Sequence, residues 1–243
     1  MNFAIIAAGD GSRLAHEGVT APKPLVNLDG RPMIQRLIDI FNDCGAESIA
    51  VIVNESMTEV ADYVAEAARR SAIPMHLRVK STPDSMHSFY EVSGMLPPGK
   101  FVLTTVDTIF SADAMRRLVA AFEADGEADG YMGVTDFIDD EKPLYVGVSP
   151  DGRVDAYRDE AFEGVRYVSA GVYGLQSPRA LQVLRECIDS GIGRMRNYQR
   201  ALLEAGFNLR ACPMGKVIDV DHASDIDKAR NLIASFENPS DEK

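Results

Sequence analysis

Residues 4–14 read Ala-Ile-Ile-Ala-Ala-Gly-Asp-Gly-Ser-Arg-Leu, and Pro22-Lys23-Pro24-Leu25 follows shortly after. Asn2 to Ala8 is apolar almost throughout and does not alternate, so it reads as a strand buried on both faces. It empties into a loop containing Gly9 and Gly11. Both glycines are expected at positive φ, which would turn successive N–H groups inward to form an anion-binding concavity. Arg13 and Lys23 add fixed positive charge beside it, and the prolines flanking Lys23 restrict the loop that carries it. A buried strand, a glycine loop and two cations describe a polyphosphate site at the end of a strand.

Two familiar glycine loops do not fit. A dinucleotide fingerprint needs glycine at the sixth position counted from Gly9, where Leu14 stands, and this disfavours an NAD-linked oxidoreductase. A Walker A loop needs Gly-Lys-Ser/Thr after a four-residue spacer, which is absent. The chain of 243 residues carries a formal net charge of -12, which argues against nucleic acid or an acidic membrane as partner. A polyanionic ligand must therefore be met by local cations or a metal ion. Cys44, Cys187 and Cys212 are far apart and odd in number, which suggests reduced thiols, not a disulfide framework or zinc site. The apolar run at the N-terminus is too short for a signal peptide or membrane span, so a cytoplasmic protein is expected.

Along the chain, apolar runs and helical spacing alternate. Strands are expected at 2–8, 48–53, 75–79 and 101–106. Helices are expected from Pro32 to the stop at Gly45, from Thr58 to Arg70, from Met86 to Met95, and from the Ser111 cap to about Ala124. This rhythm points to a parallel sheet with crossover helices. From Gly130 the strands shorten, at 131–135, 145–149, 153–158 and 168–175, with Pro150-Asp151-Gly152 closing a hairpin. Helices at 178–189, 197–205 and 224–236 and strands at 209–213 and 217–220 complete the pattern, before a polar tail from Asn238 that is expected to fray. The chain reads as one domain over 1–243. Residues 1–130 are expected to form a nucleotide-binding half, and 131–243 an acceptor-binding half that carries a second metal ligand.

Ile6 to Leu14, Pro22 to Leu25 and Gly30-Arg31-Pro32-Met33-Ile34 together resemble the signature of nucleotidyltransferases that make nucleotide sugars and related activated alcohols, the NDP-sugar pyrophosphorylase-like and MobA-like NTP transferases. Weaker similarity continues through Val106-Asp107, Ser169-Ala170-Gly171-Val172-Tyr173 and Ile218-Asp219-Val220-Asp221. The resemblance implies a three-layer Rossmann-like fold: a mixed, mostly parallel sheet between helices, with a short antiparallel portion over the acceptor site. It also implies transfer of a nucleoside monophosphate from an NTP to a phosphorylated small molecule, with release of pyrophosphate. Positioning and charge neutralisation would carry most of that reaction.

Residue by residue, the resemblance assigns Arg13 to the departing pyrophosphate and Lys23 to the α-phosphate. Asp107 and Asp221 are assigned to Mg²⁺, with Asp219 as auxiliary ligand. Asp219 and Asp221 lie two apart at a strand end, so both are expected on one side. Ala7, Ala8, Gly9, Asp10, Gly11, Ser12 and Ser85 would line the nucleotide site, with Ser88 nearby, and Ser169, Ala170 and Gly171 the acceptor site. His16, His76, His87 and His222 lack metal-ligand spacing, and Arg194, Arg196 and Arg200 read as a solvated face. Where many hexose-phosphate members carry Gly-Thr-Ala, this chain has Pro83-Asp84-Ser85-Met86-His87. Its Glu141-Lys142-Pro143 precedes the Tyr145 strand instead of following it. A hexose phosphate and a phosphorylated small alcohol such as phosphocholine, used with CTP, therefore both stay open as acceptors. A non-catalytic nucleotide-sugar-binding regulator is the alternative from another class. Base and oligomeric state are not legible.

Overall fold

The computed structural model describes residues 1–139 and 141–237. The first half runs β1 (Asn2–Ala7), α1 (Ser12–His16), a 3-10 turn (Lys23–Leu25), β2 (Asn27–Leu28), β3 (Arg31–Pro32), α2 (Met33–Asp43), β4 (Ser48–Val53), α3 (Thr58–Arg70), β5 (Met75–Val79), α4 (Ser85–Ser93), β6 (Lys100–Thr105), β7 (Thr108–Ile109) and α5 (Ala112–Ala124). There follow β8 (Gly130–Thr135), β9 (Tyr145–Val148), β10 (Val154–Arg158), β11 (Tyr167–Gln176), α6 (Arg179–Asp189), α7 (Met195–Glu204), β12 (Leu209–Pro213), β13 (Ile218–Asp219) and α8 (Ala223–Glu237). The tail from Asn238 lies outside the described residues.

Among the described residues the main sheet has nine strands, in the order β10-β9-β11-β6-β1-β4-β5, with β8 beside β11 and β12 beside β8. β1 is parallel to β4 and β6, and β4 to β5. β11 runs antiparallel to β6, β8 and β9, and this makes the sheet mixed. The chain leaves β1 for β4 on one side and later returns to β6 on the other. Residues at the carboxyl ends of β1, β4 and β6, among them Ala8, Asn54 and Val106, line one crevice.

Residues of β1 alternate between two cores. Phe3, Ile5 and Ala7 face the side of α2 and α3, and Ala4 and Ile6 face the side of α4, α6 and α7. Phe3 stacks on Phe41 of α2 at 4.3 Å, while Phe89 of α4 meets Tyr198 of α7 edge-on at 5.5 Å on the other face. Burial on both sides is why the strand reads as a continuous apolar run. Among the described residues no helix is long and apolar enough to cross a membrane.

Several local expectations change. Gly11 has φ 64 but Gly9 is not in the positive-φ region, so one left-handed residue is enough to turn the loop. Ser12–His16, read as loop, forms a short helix directly after that turn. Asp84 caps α4 by accepting from the N–H groups of Met86 and His87, so the helix begins at Ser85. β6 ends at Thr105, and Asp107 sits in the turn before β7.

Candidate active site

The 3-10 turn after Pro22 brings Lys23 back beneath the glycine loop, because Gly11 lacks a Cβ. A Cβ there would stand 3.0 Å from Lys23 Cβ, on a backbone already at φ 64. Lys23 Nζ lies 2.6 Å from Asp107 Oδ2 and 2.7 Å from Asp221 Oδ1, and Arg13 lies 2.8 Å from the other oxygen of Asp221. Four residues from three distant stretches thus meet at one point. Lys23 is nearly enclosed, at 10% side-chain exposure, whereas Arg13 is open at 59%.

Electrostatics follow from that enclosure. Burial would pull the Lys23 pKa down, but Asp107 and Asp221 outweigh it and raise it, so the ammonium stays charged. Burial pushes the Asp221 carboxyl up, and Lys23 and Arg13 more than offset this, holding it below its ordinary range.

A cavity of about 360 Å³ opens in front of this cluster. The segment from Ala7 to Ser12 lines it together with Asn54, Thr82, Asp84, Ser85 and Ser88. Asn54, which the sequence reading overlooked, donates from Nδ2 to the Ala8 carbonyl at 3.1 Å and ties the glycine loop to the end of β4. Its signal was its place directly after an apolar strand. Asp10 accepts the Ser12 N–H at 3.1 Å; bonding by Ser12 lowers its pKa.

A second cavity, of about 400 Å³, is lined by Ser169, Ala170, Asp219, Phe137 and residues around His222. Arg13 and Asp221 line both cavities, so the charged cluster forms the partition between them. Gly171 is turned away from the second cavity: at φ 68, in the irregular stretch of β11, it packs on Thr108, where a Cβ would be 2.9 Å from Oγ1. The Ser169 hydroxyl donates to Gln199 at 3.0 Å.

Asp219 and Asp221 both line the second cavity but bond different partners. Asp219 accepts the Thr108 hydroxyl at 2.9 Å, whereas Asp221 turns to Lys23. The cause is that β13 ends at Asp219, so the two-residue period of a strand no longer applies at Asp221. Among the described residues no three His, Cys, Asp or Glu side chains are grouped to hold a metal ion. What does converge is a pair of carboxylates, Asp107 and Asp221, spaced to hold a point cation between them, as the Lys23 ammonium demonstrates. Arg196 and Arg200 are clamped by Asp159 at 2.6 and 2.7 Å, so they are not a freely solvated face.

Residues 3–171 match the MobA-like NTP transferase domain. The chain belongs to this family. The NTP transferase match contains the glycine loop, Lys23 and Asp107, and Asp221 reaches the same cluster from beyond it. Among curated relatives, a 2-aminoethylphosphonate cytidylyltransferase of Lancefieldella rimae is 31% identical over 114 residues, covering 45% of this chain and 44% of the relative. A mannose-1-phosphate guanyltransferase of Neurospora crassa is 27% identical over 184 residues, covering 71% and 49%. The chain thus spans less than half the length of these relatives. The inositol-1-phosphate CTP transferase of T. maritima superposes with TM-score 0.79 at 18% identity, covering 98% of this chain and 96% of the other, and so shares the fold.

Proposed function

We propose that the chain transfers a nucleoside monophosphate from an NTP to a phosphorylated or phosphono small molecule, releasing pyrophosphate. The observation that carries this reading is the Lys23 ammonium held between Asp107 and Asp221 on the partition between two cavities. The first cavity takes the NTP, its phosphates against the glycine loop. The second takes the acceptor.

In-line displacement at the α-phosphorus needs the attacking and leaving oxygens on opposite sides of it, and a partition lined from both cavities suits that arrangement. Lys23 meets the α-phosphate as a point charge. The forked guanidinium of Arg13 suits the spread oxygens of the departing pyrophosphate. Asp107 and Asp221 are the carboxylates that would hold Mg²⁺, an ion that characteristically uses one or two carboxylates together with substrate phosphates. When bound, the ion supplies charge neutralisation for the triphosphate. Asp219, hydrogen-bonded to Thr108, supports the loop that carries Asp107. Residues 1–130 then supply the nucleotide half, and 131–243 the acceptor half with Asp221.

The named relatives act on acceptors as different as an aminoalkylphosphonate and a hexose phosphate, so they leave the acceptor class open. Phosphorus-31 NMR of the chain with Mg²⁺, each of four NTPs and a panel of phosphorylated acceptors tests the reading. Pyrophosphate and a new phosphoanhydride should appear together. Slow hydrolysis of the NTP with no anhydride would refute it.

A further inference from the structure

The two cavities are joined by a second route besides the charged partition. Asp84 lines the first cavity, and its Oδ1 accepts from the N–H groups of Met86 and His87 at 2.9 and 3.1 Å and meets His87 Nδ1 at 3.0 Å. Oδ2 faces Gly193, in the loop between α6 and α7, so closely that a Cβ on Gly193 would collide with it. The next residue, Arg194, precedes α7 at φ 70 and ψ 135, a backbone that L residues rarely adopt. Burial pushes the Asp84 carboxyl up, and the His87 side chain and the backbone N–H groups of His87 and Arg194 bring it below its ordinary value. The Gly193 carbonyl is held in turn by Asn197 Nδ2 at 2.8 Å. One carboxylate thus closes the start of α4 and receives the start of α7.

α7 carries the contact onward. Gln199 lies about 7.5 Å along the axis from Arg194 at the rise of 1.5 Å per residue. It is 2% exposed and accepts the Ser169 hydroxyl at 3.0 Å, and Ser169 lines the second cavity. A buried amide costs stability unless its hydrogen bonds are made, so packing alone does not account for a glutamine here. The neighbouring Tyr198 packs edge-on against Phe89 of α4 at 5.5 Å and donates to the Ala180 carbonyl of α6 at 2.9 Å. The first turns of α7 are therefore fixed to α4 at one end and to the Ser169 strand at the other.

Resting on the transfer reading, we propose that Asp84, Gly193 and Gln199 are positioning residues that couple the two cavities through α7, so that a bound NTP orders the Ser169 wall and raises affinity for the acceptor. An NTP beside Ser85 and Ser88 takes freedom from the start of α4. Asp84 passes that loss of freedom to Gly193 and Arg194, and the acceptor then meets a wall already ordered. The coupling is reciprocal: the acceptor raises affinity for the NTP by the same factor. None of the three residues takes part in bond making.

Hydrogen exchange read by mass spectrometry on the full chain, with Mg²⁺ and each of CTP, UTP, GTP and ATP, tests the link without turnover. An NTP that slows exchange at 9–14 should also slow it at 193–199, by about fivefold or more. Asparagine caps a helix as well as aspartate but offers one acceptor oxygen where the carboxylate has two, so Asp84→Asn keeps α4 and loses the second arm. It should retain the slowing at 9–14 and lose it at 193–199, and Gly193→Ala should do the same from the other side of the contact. In pyrophosphate release with glucose 1-phosphate, inositol 1-phosphate and 2-aminoethylphosphonate as probes, Gln199→Leu should raise the KM of each probe that is used, with kcat little changed. Slowing confined to 9–14 in the wild-type chain, slowing kept at 193–199 in Asp84→Asn, or a fall in kcat at unchanged KM in Gln199→Leu overturns the coupling and leaves the transferase reading intact. No slowing at 9–14 with any NTP overturns both.

Discussion

Lys23 Nζ stands 2.7 Å from Asp221 Oδ1 across 198 positions of sequence. The lysine occupies the space between two carboxylates that the proposed reaction assigns to a metal ion, so binding of metal and nucleotide must draw it towards the phosphates. Lys23→Met should lower kcat by about 10²–10³-fold, the usual cost of removing a charged group from a site of developing charge. It should also raise the affinity of the nucleotide-free chain for Mn²⁺, because two carboxylates lose their internal counter-charge. Calorimetric titration with Mn²⁺ alone reads the second effect independently of turnover.

Asp107→Asn keeps the shape of the turn before β7 and removes one negative charge. Turnover should fall by about 10²–10³-fold while NTP binding, followed by fluorescence or calorimetry, falls much less. A non-catalytic nucleotide-binding regulator would instead show no turnover in either form.

Gly11→Ala tests the loop geometry. Placing an L residue at φ 64 costs about 1–2 kcal/mol. Its Cβ would also press on Lys23 Cβ at 3.0 Å and displace the ammonium. Denaturant melts should show the stability loss, and KM for the NTP should rise. Gly9→Ala, with open space around its Cβ and no positive φ, should be much milder.

The Asp84 cap of α4 carries a pH signature. Burial would raise this carboxyl, but bonds from the His87 side chain and backbone lower its pKa. A group with a depressed folded-state pKa contributes fully above its unfolded pKa and loses that contribution as pH falls through the folded value. Asp84→Ala should cost about 1 kcal/mol near neutral pH, and the difference from wild type should shrink as pH falls through the acidic carboxylate range. Urea melts at several pH values between neutrality and that range read it directly.

Much of this molecule was legible in its sequence. The strands of the parallel half and their crossover helices followed from apolar runs buried on both faces, and β4, α3 and β5 fall at the expected residues. The Lys23, Asp107 and Asp221 stretches could be singled out because prolines or strand ends frame them. Less legible were features set by tertiary contact. Strand periodicity put Asp219 and Asp221 on one side, and both line the second cavity, but it did not show that one bonds Thr108 and the other Lys23, because the strand stops between them. Composition gave no hint that Asn54 would secure Ala8, or that Thr108 would engage Asp219. The acidic and aromatic wall of the second cavity draws Phe137 and Glu141 from the loop after β8 and His222 from beyond β13, so no local pattern announces it.

The central claim is nucleotidyl transfer at the Lys23, Asp107 and Asp221 cluster, and the most direct measurement is the ratio of pyrophosphate released to nucleotidylated acceptor formed. With Mg²⁺ and an accepted pair of substrates, the account predicts equal amounts of both from the wild-type chain and near loss of both in Asp221→Asn. A chain that binds an NTP yet releases no pyrophosphate with any acceptor, or an Asp221→Asn variant that turns over like wild type, would contradict it.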